Sequence, residues 1–287
     1  IIVRGTYFIE QQIKSLCKYA ESITSNHPDV FQALAKEIMD SIQTTEFKAM
    51  LLHSPKRNNS HRIDQLDYLF RYKRSILTRR FLDIVYYIDA IQTLNKIAQE
   101  RSYGCPQITT DINHVKLHEF YHPNLKKPVK NNWTLQNNIC IFTGSNMAGK
   151  STALKAISIC IWLAHCGFPV PAKEMECPVF NGLFTSINLP DSMSEGKSHF
   201  YAEVMRIKEI LDQVEPDKKY FILFDELFRG TNAKDAYDAS NLVINIIKKT
   251  RNIFLLISTH ILELALKYQH DNECCFYFLE SEIKDDE

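Results

Sequence analysis

Two long stretches of the chain, residues 8–52 and 61–100, contain no glycine and a single interior proline, Pro28, and their apolar residues recur at intervals of three and four. In the second stretch the recurring set is Leu66, Leu69, Phe70, Ile76, Leu77, Phe81, Ile84, Val85 and Ile88, the spacing that lines one face of a helix. Both stretches are expected to be helical. Near Tyr103-Gly104-Cys105-Pro106 the texture changes, and short apolar runs begin to alternate with helical stretches. Residues 139–143, 221–224 and 253–257 read as buried strands, and the alternation predicts an α/β domain, a parallel sheet flanked by helices. The expected division is a helical region, 1–102, followed by an α/β domain, 103–287.

Composition narrows the classes. A chain of 287 residues that is 45% hydrophobic has ample material for a buried core. Lys plus Arg number 34 and Asp plus Glu number 34, so no global positive field drives non-specific binding to nucleic acid. A local patch stays open: "RYKRSILTRR" at 71–80 carries Arg71, Lys73, Arg74, Arg79 and Arg80, a run whose commoner explanation is a solvated helix face. No run approaches the roughly 18 apolar residues that would span a bilayer. The start, "IIVRGTYFIE", has neither a signal pattern nor an initiating Met, and the expectation is a soluble, cytoplasmic fragment of something longer. The eight cysteines are scattered without a CxxC pair, several inside apolar runs such as "ICIF", where they act as small hydrophobes in a reducing compartment. For the vicinal pair Cys274-Cys275, burial in the strand-like "CCFYFLE" is preferred to a redox role.

The candidate chemistry starts at residues 144–151, "GSNMAGKS", which fit GxxxxGK[ST], follow the apolar run "ICIFT" and open a helix expected to stop at Gly167. In such a loop the glycines let backbone N–H groups fold around phosphate oxygens, and the helix N-terminus adds positive potential. Lys150 then reaches the outer phosphates and the Ser151 hydroxyl ligates magnesium. The expected nucleotide-binding residues are Gly144, Ser145, Asn146, Met147, Ala148, Gly149, Lys150, Ser151 and Thr152, with ATP or ADP and magnesium as the cofactors. Hydrolysis also needs a carboxylate fixed beside the loop, and "YFILFDE" supplies Asp225 for the metal and Glu226 as a general base for the attacking water.

Two further positions carry two readings each. His260, in "NIFLLISTHILEL", follows another apolar strand; it is either structural or a sensor of the terminal phosphate on the sheet edge where parallel strands converge. Ser198 precedes a helical stretch with apolar Tyr201, Val204, Met205 and Leu211; it is either an ordinary N-cap or part of an anion site offered to a second subunit.

In order and spacing these segments resemble the MutS family of DNA mismatch-repair ATPases, a branch of the ABC-type nucleotide-binding superfamily. "TGSNMAGKST" is similar to the family's TGPNMGGKST, "GFPVPAKE" to its GxFVPA segment, and "EGKSHFYAEVMRIKEIL" to the signature helix with its STFMxEM core. "FILFDELFRGTNAKDA" resembles DEIGRGTSTxDG, and "STHILEL" resembles ATHxxEL. These five matches cover residues 139–264; upstream, residues 85–108 look like the end of the family's core and lever helices, and Tyr121-His122-Pro123 like the HP before the first ATPase strands. The resemblance implies an ABC-type P-loop nucleotide-binding domain with a mixed sheet flanked by helices, preceded by an α-helical core/lever-like region.

The resemblance also assigns roles. It implies phosphate contact for Asn146, metal and water roles for Asp225 and Glu226, a switch role for His260, and for Ser198 a reach across a homodimer to the partner's terminal phosphate. Residues 229–231 match a loop along that dimer interface. Departures are Ala148 for the second glycine of MGGK, Asn232 for a serine, Ala236 for a glycine, and Pro128 where the family places an aromatic residue against adenine. Phe8-Ile9-Glu10 has the form of the family's mismatch-reading Phe-x-Glu, but it sits in a helical stretch and too little chain precedes the ATPase for a reader domain.

The function implied is an ATPase whose nucleotides sit at a dimer interface in a DNA-handling protein, with DNA as a partner by resemblance only and no membrane. The alternative is a nucleotide-gated dimerisation module with little hydrolysis and no mismatch recognition. A transporter ATPase is disfavoured, because an LSGGQ-type signature is missing.

Overall fold

A computed structural model of the chain describes residues 2–26, 29–42, 60–145, 148–187, 199–229 and 231–279. The chain divides into two compact units, Ile1–Leu94 and Asn95–Glu287. In the first unit the apolar periodicity yields α1 (Ile2–Ser22), α2 (Asp29–Ile42), α3 (Ser60–Tyr68) and α4 (Ser75–Arg101), which continues into the second unit. Residues 43–52 of the expected first helical stretch lie outside the described residues. The helices pack Ile13, Leu16, Ile38, Leu66, Phe81 and Ile84 into one buried cluster. Glu10 is buried within α1, held by Lys14 at 2.9 Å and Arg62 of α3 at 3.2 Å, so the acidic residue of Phe8-Ile9-Glu10 fastens two helices together.

The second helical stretch is not one helix. Between α3 and α4 the residues Leu69–Lys73 form a π-helical turn that ends at Arg74. The wider turn carries an extra residue, which puts Leu69 and Phe70 both into the core and resets the phase of the following helix. The reset explains Ile76, which belongs to the apolar series in sequence but is 85% exposed.

The second unit is α/β, with two sheets flanked by helices. The strands are β1 (Gln107–Thr109), β2 (Val115–Phe120), β3 (Asn131–Leu135), β4 (Ile139–Gly144), β5 (Glu174–Pro178), β6 (Gly182–Ser186), β7 (Tyr220–Asp225), β8 (Ile253–Ser258) and β9 (Cys274–Leu279). Five of them make an all-parallel sheet in the order β6-β7-β8-β4-β9. Four make a mixed sheet, β1-β5-β2-β3, in which β2 runs antiparallel to β3 and to β5. The helices are α5 (Lys150–His165), α6 (His199–Leu211), α7 (Ala233–Lys248) and α8 (Leu262–Tyr268).

Because the parallel sheet is covered on both faces, its central strands are continuously apolar, and alternate residues enter two different cores. Cys140, Phe142, Phe221, Leu223, Phe254 and Leu256 pack with Leu154, Ile157 and Ile161 of α5 and with Leu117, Trp133 and Met175 of the mixed sheet. Ile139, Ile141, Ile222, Phe224, Leu255 and Ile257 face the other way, toward Ile210 of α6, Ile244 of α7 and Leu264 of α8. In the first core Phe180 meets Phe254 edge-on at 5.2 Å; each such buried ring stabilises the fold by about 1.5–3 kcal/mol. Tyr277 of β9 stacks on Phe142 at 5.4 Å, and its hydroxyl donates to the Thr134 carbonyl of β3 and accepts from the Thr134 N–H, joining the two sheets.

The vicinal cysteines lie at the start of β9, with Cys274 paired to Ile139 and Cys275 to Cys140 across β4. Both are free thiols, and burial pushes the Cys274 thiol up to about 12, away from the reactive thiolate. No helix among the described residues is long and apolar enough to cross a membrane.

Candidate functional site

The C-terminal ends of β4, β7 and β8 carry the polar residues singled out above. β4 ends at Gly144, the helix α5 begins at Lys150, and the connecting loop brings Gly149 into a left-handed conformation, φ 86°, just before the first helical residue. Gly144 has φ 146° and lies directly beside the backbone of Leu279 on β9. A residue with a side chain at either position would be strained. Asn146 and Met147 lie outside the described residues.

Lys150 is 5% exposed, and its Nζ donates to the carbonyl oxygens of Gly144 and Ser145, each at 2.9 Å. The ammonium is thus folded onto its own loop, satisfied by two neutral carbonyls and, among the described residues, by no carboxylate. Anionic oxygens offered to that ammonium would add a charge–charge attraction to the hydrogen bond, which the neutral carbonyls do not supply.

The other side of the site comes from β7 and β8. Asp225 closes β7, and its Oδ1 accepts a hydrogen bond from Ser258 at the end of β8, at 2.6 Å. Glu226 follows with φ 56°, and its N–H donates to the same Ser258 hydroxyl at 3.0 Å. The Glu226 carboxylate contacts two side chains: Oε1 is hydrogen-bonded to Nε2 of His260, and Oε2 lies 3.6 Å from Nη1 of Arg229. His260 is placed by a short turn in which the Thr259 N–H donates to the Phe142 carbonyl at 3.0 Å and the Ile261 N–H to the Thr259 hydroxyl.

These elements enclose an open cleft of about 580 Å³, lined by Gly149, Lys150, Ser151, Thr152, Glu226, Arg229 and His260. Its size is within the range of small-ligand sites. The cleft therefore joins the glycine loop to Glu226 and His260, residues that lie far apart in sequence. Asp225, Gly144, Ser145 and Ala148 do not line the cleft; the Gly144 and Ser145 carbonyls accept from Lys150, and the Ala148 N–H donates to the Ser145 carbonyl. Ser198 lies outside the described residues; the helix that follows it, α6, starts at His199. Of the interface loop, Gly230 also lies outside them, whereas Asn232 is the N-cap of α7, its Oδ1 accepting from the Asp235 N–H at 2.9 Å. Asn and Ser are equivalent in that role, so the Asn keeps the helix start intact.

The donor set suits a magnesium–nucleotide. The Ser151 hydroxyl and the Asp225 carboxylate are hard oxygen donors of the kind magnesium takes, and the Lys150 ammonium is a donor of the kind phosphate takes. The residue that sequence patterns miss is Ser258. Its only sequence signal is a hydroxyl that closes five apolar residues; its importance comes from being the register partner of Asp225.

Residues 140–286 match the family described as MutS domain V. DNA mismatch repair protein MutS from Staphylococcus aureus strain JH9 is 33% identical to the chain over 190 residues, 63% of this chain and 21% of the relative, and the protein of strain Newman matches equally. The chain thus spans about a fifth of the length of these relatives.

Proposed function

We propose that this chain, which belongs to the MutS domain V family, binds ATP with magnesium through residues 144–152 and hydrolyses it, two copies closing around the nucleotides. The observation that carries this reading is the single cleft into which Lys150, Glu226 and His260 converge from three different strand ends. On this reading residues 103–287 are the ATPase domain and 1–102 a helical region that transmits its opening and closing. The homodimer, DNA as the partner and a cytoplasmic location are part of the same proposal, carried by family membership.

Each residue has a physical task in the proposal. Lys150 trades its two loop carbonyls for oxygens of the outer phosphates, while Asn146 and the loop N–H groups hold the remainder. Ser151 and Asp225 hold magnesium, which when bound neutralises charge on the phosphate oxygens. Glu226 accepts a proton from the attacking water, and His260 orients the carboxylate by its hydrogen bond and serves as the sensor of the terminal phosphate. Ser198 completes the site from the partner copy.

A module that used nucleotide only to dimerise would have no need of Glu226 facing the cleft, which favours hydrolysis over that alternative. Calorimetric titration with ATP and magnesium is expected to give one site per chain. Lys150→Met is expected to weaken ATP binding by about 10–100-fold, the loss of one or two charge-assisted contacts. Equal affinity in the variant would overturn the site.

A further inference from the structure

β7 and β8 run parallel and in unbroken register, from Tyr220 opposite Ile253 to Asp225 opposite Ser258. Phe221 and Leu223 on one strand, and Phe254 and Leu256 on the other, point into the core beneath α5. The period of two brings the next members of those rows, Asp225 and Ser258, out on the same face, toward the start of α5. Ser258 is fully buried there. Its hydroxyl has one proton, given to Asp225 Oδ1 at 2.6 Å, and accepts the N–H of Glu226 at 3.0 Å. One side chain therefore touches both acidic residues of the proposed site. Glu226 needs that hold: at φ 56° it adopts a backbone conformation that residues with side chains rarely keep unaided.

Resting on the ATPase reading above, we infer that Ser258 is a positioning residue: it fixes the carboxylate of Asp225 for the metal and the backbone of Glu226 for the water. With one lone pair of Oδ1 committed to Ser258, Oδ2 of Asp225 is the less engaged oxygen for a metal ion. A buried hydroxyl that merely satisfied its own polar atoms would affect folding and nothing else. A positioning hydroxyl must affect metal binding through Asp225.

The two roles separate in variants of the chain titrated with Mn²⁺ in the presence of ATP, followed by electron paramagnetic resonance, alongside ATP binding in EDTA and melting without nucleotide. Ser258→Ala is expected to bind metal-free ATP as the parent does, to bind Mn²⁺ about tenfold more weakly, and to lose turnover about tenfold with little change in KM for ATP. Ser258→Cys, which keeps the packing with a weaker donor, should fall between the two. In an Asp225→Asn background the loss of the hydroxyl should cost no further Mn²⁺ affinity. Parent-like Mn²⁺ binding by Ser258→Ala, or an undiminished loss in the Asp225→Asn background, overturns the inference and leaves the ATP site standing. Failure of the parent chain to bind ATP even in EDTA overturns the site itself, and the inference with it.

Discussion

Glu226→Gln is expected to lower ATP turnover by about 10²–10⁴-fold while ATP and magnesium still bind. The glutamine has the same shape and can keep a hydrogen bond to His260, so the cleft should persist. What it lacks is the capacity to accept a proton from water at neutral pH. Removing a negative charge beside the phosphates also removes a repulsion, so binding should be equal or tighter. Single-turnover hydrolysis with the chain in excess over ATP measures the chemical step apart from binding. Turnover within about threefold of the parent would place the base elsewhere, because general-base catalysis contributes far more than that.

The second large effect lies in the loop itself. Gly144→Ala is expected to destabilise the α/β unit by about 2–4 kcal/mol, combining overpacking with backbone strain. A Cβ at residue 144 would stand 2.3 Å from the Leu279 carbonyl oxygen, with the residue at φ 146°. The neighbour is backbone in a paired strand, where Gly144 and Leu279 are register partners, so relief requires β9 to move away from β4. Gly149→Ala is the comparison: it shares a positive φ, 86°, but none of the described residues lies within 4 Å of its added Cβ. Strain alone should cost it about 1–2 kcal/mol. Differential scanning calorimetry should therefore place Gly144→Ala well below Gly149→Ala in Tm, by several degrees for a unit of this size. Equal melting would show that the contact with β9 gives way freely.

The fold was legible where physics is local or continuous. β4, β7 and β8 are buried on both faces and so stand out as apolar runs; β9, at the sheet edge, is apolar in sequence but only half-buried. The mixed sheet was implied by the family resemblance, but its strands were not legible in the residue pattern itself. β2, "VKLHEF", buries Val115, Leu117 and Phe120 while Lys116 stays exposed, and its short alternation is broken by a register shift between Leu117 and Phe120. The π-helical turn was hidden because one inserted residue is invisible in a spacing of three and four, and Ile76 was misplaced in consequence.

The candidate site divides in the same way. Lys150, Asp225, Glu226 and His260 belong to motifs in which residue type and spacing carry the chemistry, and the cleft brings Lys150, Glu226 and His260 together. Ser258 and Arg229 enter through cross-strand register and through the left-handed turn at Glu226, which are tertiary facts. Asn232 shows the converse: a departure from the family pattern that looks consequential in sequence serves in three dimensions as the N-cap of α7.

The central claim, an ATPase assembled from two copies, is tested most directly by steady-state hydrolysis of ATP with magnesium across a wide range of protein concentrations. The account expects turnover per chain to rise with protein concentration, as two copies meet, and to be lower by about 10²–10⁴-fold in Glu226→Gln at every concentration. Turnover that is the same in the parent and in Glu226→Gln, or absent from the parent at all concentrations, would contradict it.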